Sequence, residues 1–364
     1  MKEKYYIVVL IIIIVLYSCQ VSRNHVSDTV VLSQTTKTDA KRLMVDTIDL
    51  SGYSSSDDFI YARFFLVYQD SVLIVVNNKY EEVCFLEFYN MKNREMLKKM
   101  YRLGDGPNEL LSANVDISGN LLFVNDFIKG QVAFVNIDSV LINPDYHCLP
   151  IQHAYKGSPT AVPYKDSLLL LENPNHFIDK GLRINQDVPR FLVASRNKTA
   201  ISTAPLSYKY YTRNVAVDGR IITNYEKDRI FYADFHKPLL EIYDSNLILI
   251  KSIAGPDVLP IEYAIRDNSL SFKGRVPYAY LRYCMDNEAV YLIYIGDFIS
   301  VSRDAEELPA WIFKFDWEGT FMESYTTGKY IVSLTLSNEA DTFYATIREK
   351  GNEPHLVKLS YRAE

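Results

Sequence analysis

The sequence predicts an all-β fold, a six-bladed β-propeller whose last blade is closed by a strand from the N-terminal region. Apolar strands recur in pairs, no long window has a helical period, and aromatic residues, which favour strands, make up 13% of the chain. A short turn dipeptide separates the strands of each pair. It occurs six times, at Asp70-Ser71, Ser118-Gly119, Asp166-Ser167, Asp218-Gly219, Asp286-Asn287 and Asn338-Glu339.

These turns set the expected order of the blades. Asp, Asn, Ser and Gly suit tight hairpins, and the dipeptides lie 48 to 68 residues apart, which fits one four-stranded blade per repeat. Leu43–Leu50 precedes the first repeat, and we expect it to be the outer strand of the last blade, beside Leu356–Tyr361. Two longer stretches, Asn173–Pro189 and Ser252–Pro277, are expected to rim one face of the disc.

The N-terminal region predicts export and a membrane anchor. Residues 1–18 have two lysines and then a short apolar core, which is typical of a signal peptide. Leu16-Tyr17-Ser18-Cys19 resembles a bacterial lipobox, in which the cysteine is acylated and becomes the mature N-terminus. An uncleaved N-terminal anchor is the alternative. Gln20 after the cysteine favours the outer membrane, on either its periplasmic or its external side.

The remaining chain divides into a tether and one domain. Residues 19–41 are polar and are predicted to be a flexible tether, and residues 42–364 form the propeller domain. Lys and Arg number 39 against 45 Asp and Glu, without a basic block, so we expect no nucleic-acid partner. Cys84, Cys148 and Cys284 lack metal-ligand spacing and are expected to be buried, unreactive thiols.

Two segments resemble a known family. Leu103-Gly104-Asp105-Gly106-Pro107-Asn108-Glu109 and the segment 311–319, which includes Phe315, Asp316 and Gly319, resemble the TolB-like six-bladed β-propeller lipoproteins of the Bacteroidetes. The resemblance extends from about residue 43 to the end of the chain and includes the lipobox. It implies a lipoprotein of the cell envelope without an established enzymatic activity.

Motifs for catalysis are not found in the sequence. There is no HExxH zinc motif, no P-loop and no GxSxG nucleophile elbow, so no catalytic residue, cofactor or metal is predicted. His147 and His153 could share one strand face, which leaves a structural zinc site as a remote alternative.

Eight polar residues are the candidates for ligand binding at the mouth of the channel. They are Arg63, Asp105, Asn108, Glu109, Asn114, Arg213, Asn224 and Arg282. A ring of arginines on the innermost strands would suit a carboxylate or sulfate ligand, although the arginines could instead pair with acidic residues of neighbouring blades. Residues 105–109 could equally form a turn, with the carboxylates bonded to backbone amides.

The sequence therefore favours a membrane-anchored, non-catalytic binding or scaffold propeller, whose partner is a protein or an envelope ligand. A metal-dependent hydrolase or lyase of the propeller lactonase type is the alternative, because Glu109, Asn114 and Asn224 could imitate its cation ligands. A sensor domain of a transmembrane system is a weaker third possibility.

Overall fold

Six antiparallel sheets surround a central channel, as the sequence predicts. The computed structural model describes residues 29–361 except 54–58, 60, 79–83, 144, 153–156, 159, 166–167, 174–189, 196–217, 267–268, 300–306 and 350–352. The first described residues form four short elements. They are β1 (Thr29–Val31), α1 (Thr35–Thr38), β2 (Lys41–Arg42) and β3 (Met44–Thr47).

The first three blades follow in chain order. Blade 1 consists of β4 (Ala62–Tyr68), β5 (Val72–Asn77), β6 (Leu86–Asn90) and β7 (Met96–Met100). The link to blade 2 contains β8 (Arg102–Leu103) and β9 (Glu109–Leu110). Blade 2 consists of β10 (Asn114–Ser118), β11 (Leu121–Asp126), β12 (Gln131–Asn136) and, after α2 (Ile137–Ile142), β13 (Ile151–Gln152). The described part of blade 3 consists of β14 (Ala161–Tyr164), β15 (Leu168–Glu172) and β16 (Phe191–Ser195).

The other three blades complete the ring. Blade 4 consists of β17 (Gly219–Asn224), β18 (Arg229–Asp234), β19 (Leu239–Tyr243) and β20 (Leu249–Ala254). A separate hairpin, β21 (Tyr263–Arg266) and β22 (Ser269–Phe272), precedes blade 5. Blade 5 consists of β23 (Val276–Met285), β24 (Ala289–Ile299), β25 (Trp311–Asp316) and β26 (Phe321–Thr326). Blade 6 contains β27 (Tyr330–Leu336), β28 (Thr342–Arg348) and β29 (His355–Ser360).

The antiparallel order gives the disc two distinct faces. The first strand of each blade lies innermost, and successive strands run in opposite directions. The turns from first to second and from third to fourth strand therefore lie at one end of the blade, which we call the turn face. The turns from second to third strand and the links between blades lie at the other end, which we call the link face.

Packing between blades supplies the core. The described residues form six buried apolar clusters, one at each junction between neighbouring blades, including the junction of blade 6 with blade 1. Strand β5 shows the consequence, because Val72–Asn77 is buried along its whole length. A strand that is covered on both faces has a continuous apolar sequence, whereas a strand with one exposed face alternates between apolar and polar residues.

Closure of the ring joins the two ends of the domain. Strand β3 pairs antiparallel with β29, with Val45 opposite Leu359 and Thr47 opposite Val357. This confirms the predicted N-terminal strand of the last blade. Blade 6 also binds blade 1 directly, since the Ser333 hydroxyl donates to the Phe65 carbonyl oxygen over 2.6 Å. The closure covers the outer edge of blade 6, which would otherwise expose unpaired backbone groups.

The N-terminal region contacts more blades than the sequence predicts. Strand β1 adds parallel to β20 of blade 4, and β2 adds parallel to β26 of blade 5. We call Thr29–Thr47 the N-terminal belt, because it follows the outer edges of blades 4, 5 and 6 in turn. The predicted flexible tether over 19–41 is therefore wrong for residues 29–41, and residues 19–28 lie outside the described part. Apart from the buried Leu32 and Leu43, the belt is held by backbone pairing and by polar contacts such as Lys37 with Asp257, which leave little hydrophobic signal in the sequence.

One predicted turn is also wrong. Gly219 does not form a hairpin turn but begins β17, the innermost strand of blade 4, and the turn to β18 lies at residues 225–228. A Cβ atom at position 219 would lie only 2.4 Å from the ring of Tyr232 on the paired strand. Glycine is thus needed at position 219 because a side chain there would collide with the ring of Tyr232, although Asp218-Gly219 has the composition of a turn.

Leu43 and Met44 test the contribution of the belt to stability. The Leu43 side chain is 4% exposed within the cluster between blades 5 and 6, whereas Met44 is 38% exposed. Leu43→Ala should lower the free energy of unfolding by about 2–5 kcal/mol, because it leaves a cavity in the core. Met44→Ala should change it by less than about 0.5 kcal/mol. Urea unfolding followed by circular dichroism measures both, and equal effects would contradict the assignment of Leu43 to the core.

Glu323 predicts a pH dependence of the contact between the belt and blade 5. Partial burial alone would raise its pKa, but hydrogen bonds from Lys41, Tyr325 and Lys314 lower the pKa to about 2, from an ordinary value of 4.5. The unfolded chain therefore takes up this proton at a higher pH than the folded chain does. The stabilisation is present above about pH 4.5 and is lost as the pH falls towards 2.

Glu323→Gln should accordingly lose less stability than the wild type between pH 6 and pH 3. Chemical denaturation at the two pH values measures the difference. Lys41→Met, which removes one of the donors to Glu323, should reproduce part of the effect. An unchanged pH dependence in both variants would show that this contact does not contribute to stability.

Candidate functional site

A single arginine crosses the central channel. Arg282, on the innermost strand of blade 5, donates from Nη1 to the carbonyl oxygen of Val115 over 2.7 Å and lies 3.2 Å from Asp116 Oδ1. Val115 and Asp116 belong to blade 2, which is diametrically opposite blade 5 in a ring of six. The guanidinium also lies 4.0 Å from the ring centre of Phe64 in blade 1. Arg282 therefore separates the turn-face end of the channel from the link-face end.

Three further arginines lie on the link-face side of this crossing. Arg220 begins blade 4, and its Nε atom is 3.7 Å from Asp116 Oδ1 without a hydrogen-bond partner. Arg63 begins blade 1 and donates from Nη1 to the Ala113 carbonyl oxygen over 3.3 Å. Arg348, at the end of β28, donates from Nη2 to the Arg63 carbonyl oxygen over 3.3 Å. Arg63 alone of the four is exposed to solvent, so it is the arginine that an entering ligand meets first.

The positive charge of this cluster is only partly balanced. Burial lowers the pKa of Arg282 to about 9 against the opposing attraction of Asp116, which leaves the guanidinium protonated at neutral pH. Desolvation and the charge of Arg220 also lower the pKa of Arg63. Asp116 is thus a nearby carboxylate for Arg63, Arg220 and Arg282, and Asp218 for Arg63 and Arg220. We call Arg63, Arg220, Arg282 and Arg348 the arginine cluster.

Glu172 adds little negative charge to the site. It ends β15 of blade 3, is fully buried, and accepts a hydrogen bond from the Tyr232 hydroxyl. Burial raises the pKa of Glu172 to about 8, although the bond from Tyr232 opposes the shift. The carboxyl group is therefore mostly protonated at neutral pH, so it does not cancel the charge of the arginine cluster.

The wall between blades 4 and 5 is aromatic. His236 lies 4.0 Å from Asp218 through Nε2, and its Nδ1 atom is 2.7 Å from the Pro277 carbonyl oxygen, which makes Nδ1 the donor. Burial lowers the pKa of His236, which favours the neutral ring. Phe272 of the β21–β22 hairpin packs against His236 with ring centres 4.5 Å apart. The long segment 252–277 thus lies on the link face, beside the mouth that leads to the arginine cluster.

The turn-face end of the channel is a separate cavity of about 730 Å³. Carboxylates line it, but they serve the turns around them. Asp138 accepts hydrogen bonds from the Tyr68 hydroxyl over 2.8 Å and from Asn120 over 2.7 Å. Asp286 accepts from the backbone amides of Glu288 and Ala289, each over 2.7 Å. These donors are neutral, so the carboxylates keep their negative charge and the cavity does not suit an anion.

The structure brings two of the predicted site residues, Arg63 and Arg282, into one cluster. Asn114 begins β10 on the link face. Asn224 lies on the turn face, where its side-chain oxygen accepts from the Lys227 amide over 3.1 Å. Arg213 lies outside the described residues. Asn224 is therefore remote from the predicted link-face residues.

The predicted segment 105–109 is a surface loop between β8 and β9. Asp105 and Asn108 are exposed, and the Glu109 carboxylate accepts from the Gly106 amide over 2.8 Å. Lys129 of blade 2 donates to the carbonyl oxygens of Gly106 and Glu109. The geometry matches the turn alternative for Glu109. Since Glu109 and Asn114 lie on the link face and Asn224 on the turn face, these three do not converge as the cation ligands of a lactonase-like enzyme would.

Sequence reasoning missed Arg220, Arg348 and Asp116. The sequence predicts a turn at Asp218-Gly219. Because Arg220 directly follows this dipeptide, the prediction placed Arg220 after the turn and not on the innermost strand. Arg348 ends the second strand of its blade, where no ligand residue was sought. Arg282 lies four residues before the turn of its blade, and Arg220 lies five residues before the observed turn of blade 4. This similar distance to the turn was the signal in the sequence that pointed to Arg220.

Other kinds of site find no support in the described part of the chain. It contains no group of three or more His, Cys, Asp or Glu arranged to hold a metal ion. His147 is exposed, and His153 of the remote zinc alternative lies outside that part. Cys84 and Cys284 are buried as predicted, whereas Cys148 is half-buried. No helix among the described residues is long and apolar enough to span a bilayer.

Comparisons with known proteins agree with this architecture. A family model described as "TolB-like 6-blade propeller-like" matches residues 46–339. A DUF4221 family member from Bacteroides vulgatus superposes with a TM-score of 0.51 at 11% identity, over 89% of this chain and 97% of that one. A Bacteroides fragilis protein named as exported gives 0.49 at 9% identity, over 92% and 99%.

A streptogramin B lyase gives a TM-score of 0.45 at 8% identity, over 88% of this chain and 97% of that one. No curated protein matches the chain by sequence. Likeness at this level of identity establishes the fold alone, and the two weaker superpositions carry no argument about function.

A double-mutant cycle tests the crossing of the channel. Asp116→Asn should lower the free energy of unfolding by about 3–5 kcal/mol, because it leaves buried guanidinium groups without their carboxylate. Arg282→Met should lower it by less, because Arg220 remains beside Asp116. The double variant should lose less than the sum, with an interaction energy of about 0.5–3 kcal/mol. Urea denaturation of the four proteins measures the cycle. Strict additivity would show that the two side chains do not interact across the channel.

Proposed function

The chain belongs to the TolB-like six-bladed propeller family, and from that premise we propose that it is a membrane-anchored, non-catalytic binding protein of the cell envelope. In this proposal the signal peptide is removed, Cys19 is acylated, and the propeller stays attached to the outer membrane. The ligand is an oxyanion, either on a small molecule or on an acidic group of a partner protein, which enters from the link face.

The arginine cluster is the observation that carries the proposal. A buried arginine is costly unless its charge is balanced, yet the buried Arg220 and Arg282 share Asp116 with each other and with Arg63. The planar guanidinium has donors in a fork that matches the oxygens of a carboxylate or sulfate. Arg63 is exposed and Arg220 Nε has no hydrogen-bond partner. An anion between these residues would supply the missing charge and acceptors.

The anchor is supported by the sequence of the N-terminal region and by the position of the belt. Leu16-Tyr17-Ser18-Cys19 has the spacing of a lipobox, and the first described residue lies ten positions after Cys19. Two acyl chains provide stable attachment, whereas a single chain binds only reversibly. Fractionation of cell membranes, together with the mass of the mature N-terminal peptide, tests acylation at Cys19. A mature protein that carries no acyl chain would overturn this part of the proposal.

Binding of citrate and sulfate tests the site. A hydrogen bond to a charged group contributes about 1.5–3 kcal/mol, so Arg63→Gln should raise the dissociation constant by about tenfold or more. Titration calorimetry at constant ionic strength measures it, and comparison of the two anions distinguishes a preference for carboxylate from one for sulfate.

Arg94→Gln is the matched control, because Arg94, whose side chain is 41% exposed, lies at the outer turn-face end of the same blade. This variant should bind as the wild type does. Absence of anion binding by the wild type, or equal weakening in both variants, would overturn the assignment of the arginine cluster as the site.

A further inference from the structure

The N-terminal belt fixes the point at which the chain leaves the propeller. Strand β1 runs parallel to β20, with Thr29 beside Ser252 and Val31 beside Ala254. As the fourth strand of its blade, β20 runs from the turn face to the link face. Thr29, the first described residue, therefore lies at the end of β1 that points to the turn face, on the outer edge of blade 4.

The remaining distance to an acylated Cys19 is short. Ten residue steps separate Cys19 from Thr29, and an extended chain spans at most about 3.5 Å per step, or about 35 Å in all. The tether predicted from the sequence would have reached about 75 Å on the same basis. Pairing of β1 and β2 with the outer edges of the blades halves the reach, and the direction of β1 places its first residue towards the turn face.

Exposed apolar side chains lie at this same end of the blades. Ile248 and Ile250, at the start of β20, are 54% and 42% exposed. Met322 holds the position of Ile250 in β26 of blade 5 and is 53% exposed, and the two strands share the same pattern of burial. The belt pairs only with the second halves of both strands. Among the described residues, no belt strand pairs with their first halves, which lie on the side from which β1 begins.

We propose that the turn-face ends of blades 4 and 5 rest in the headgroup region of the bilayer, with Ile248, Ile250 and Met322 as the contacting side chains. The inference rests on the acylation of Cys19 in the proposed function. The acyl chains hold the protein on the membrane, and the apolar side chains determine which part of the disc faces the lipid. A bilayer is the occupant because the anchored chain leads to Thr29, beside this patch.

Fluorescence quenching by lipid tests the orientation. Single cysteines replace Ile248, Met322 or Val258 in a Cys148→Ser background, since the other two described cysteines are buried. Val258 follows the link-face end of β20 and is 91% exposed, so it is a matched control of greater exposure in the same blade. The acylated protein is labelled with an environment-sensitive fluorophore and reconstituted into phosphatidylethanolamine–phosphatidylglycerol vesicles that contain brominated lipid.

Labels at positions 248 and 322 should be quenched at least twofold more than the label at position 258. Acylated protein with equal quenching at 248 and 258, or with none at 248, would overturn the orientation and leave the anchor intact. Mass spectrometry of the same samples reports acylation separately. Protein without acyl chains would overturn the anchor, and the orientation with it.

Discussion

Pairing of β3 with β29 is the constraint on which the rest of the molecule depends. A ring of sheets buries its apolar faces only when every blade has two neighbours, and the pairing of β3 with β29 brings together segments more than three hundred residues apart. Because β3 comes from the N-terminal side, the preceding residues are drawn along the outer edges of the neighbouring blades. The belt follows from this closure, and its buried Leu43 ties it to the core between blades 5 and 6.

The closed ring also explains how charged groups can meet at the axis. Six innermost strands converge there, and side chains that would face solvent in an open sheet face one another instead. Arg282 reaches the opposite blade, so its charge is partly balanced by Asp116, while Arg63 and Arg220 approach the same carboxylate from two other blades. Mutual repulsion among these arginines opposes folding, which the six apolar junctions outweigh.

The fold could be predicted from the sequence because the repeat, the turn chemistry and the apolar strands all describe the same blade. The site could be predicted only in part. Arg63 and Arg282 lie a few residues before the turns of their blades and could be recognised in this way. Arg220 could not, because the turn of blade 4 was wrongly predicted at Asp218-Gly219. Gly219 is needed because a larger residue would collide with the ring of Tyr232, but in the sequence it looks the same as a glycine of a turn. Only the structure of the paired strand distinguishes the two roles. The belt escaped prediction for a similar reason, since backbone pairing of a polar segment leaves no hydrophobic period.

The two proposals place constraints on each other through the geometry of the disc. Arg282 crosses the channel between the turn face and the other arginines of the cluster. Thr29 lies at the turn-face side of blade 4, and an acylated Cys19 would hold that side within about 35 Å of the lipid. The link-face mouth would then open away from the bilayer. A binding site placed there admits an anion from the surrounding medium or an acidic group of a partner, whereas lipid headgroups of the same membrane would meet only the opposite face. The proposed anchor would therefore narrow the source of the ligand as well as the orientation of the domain.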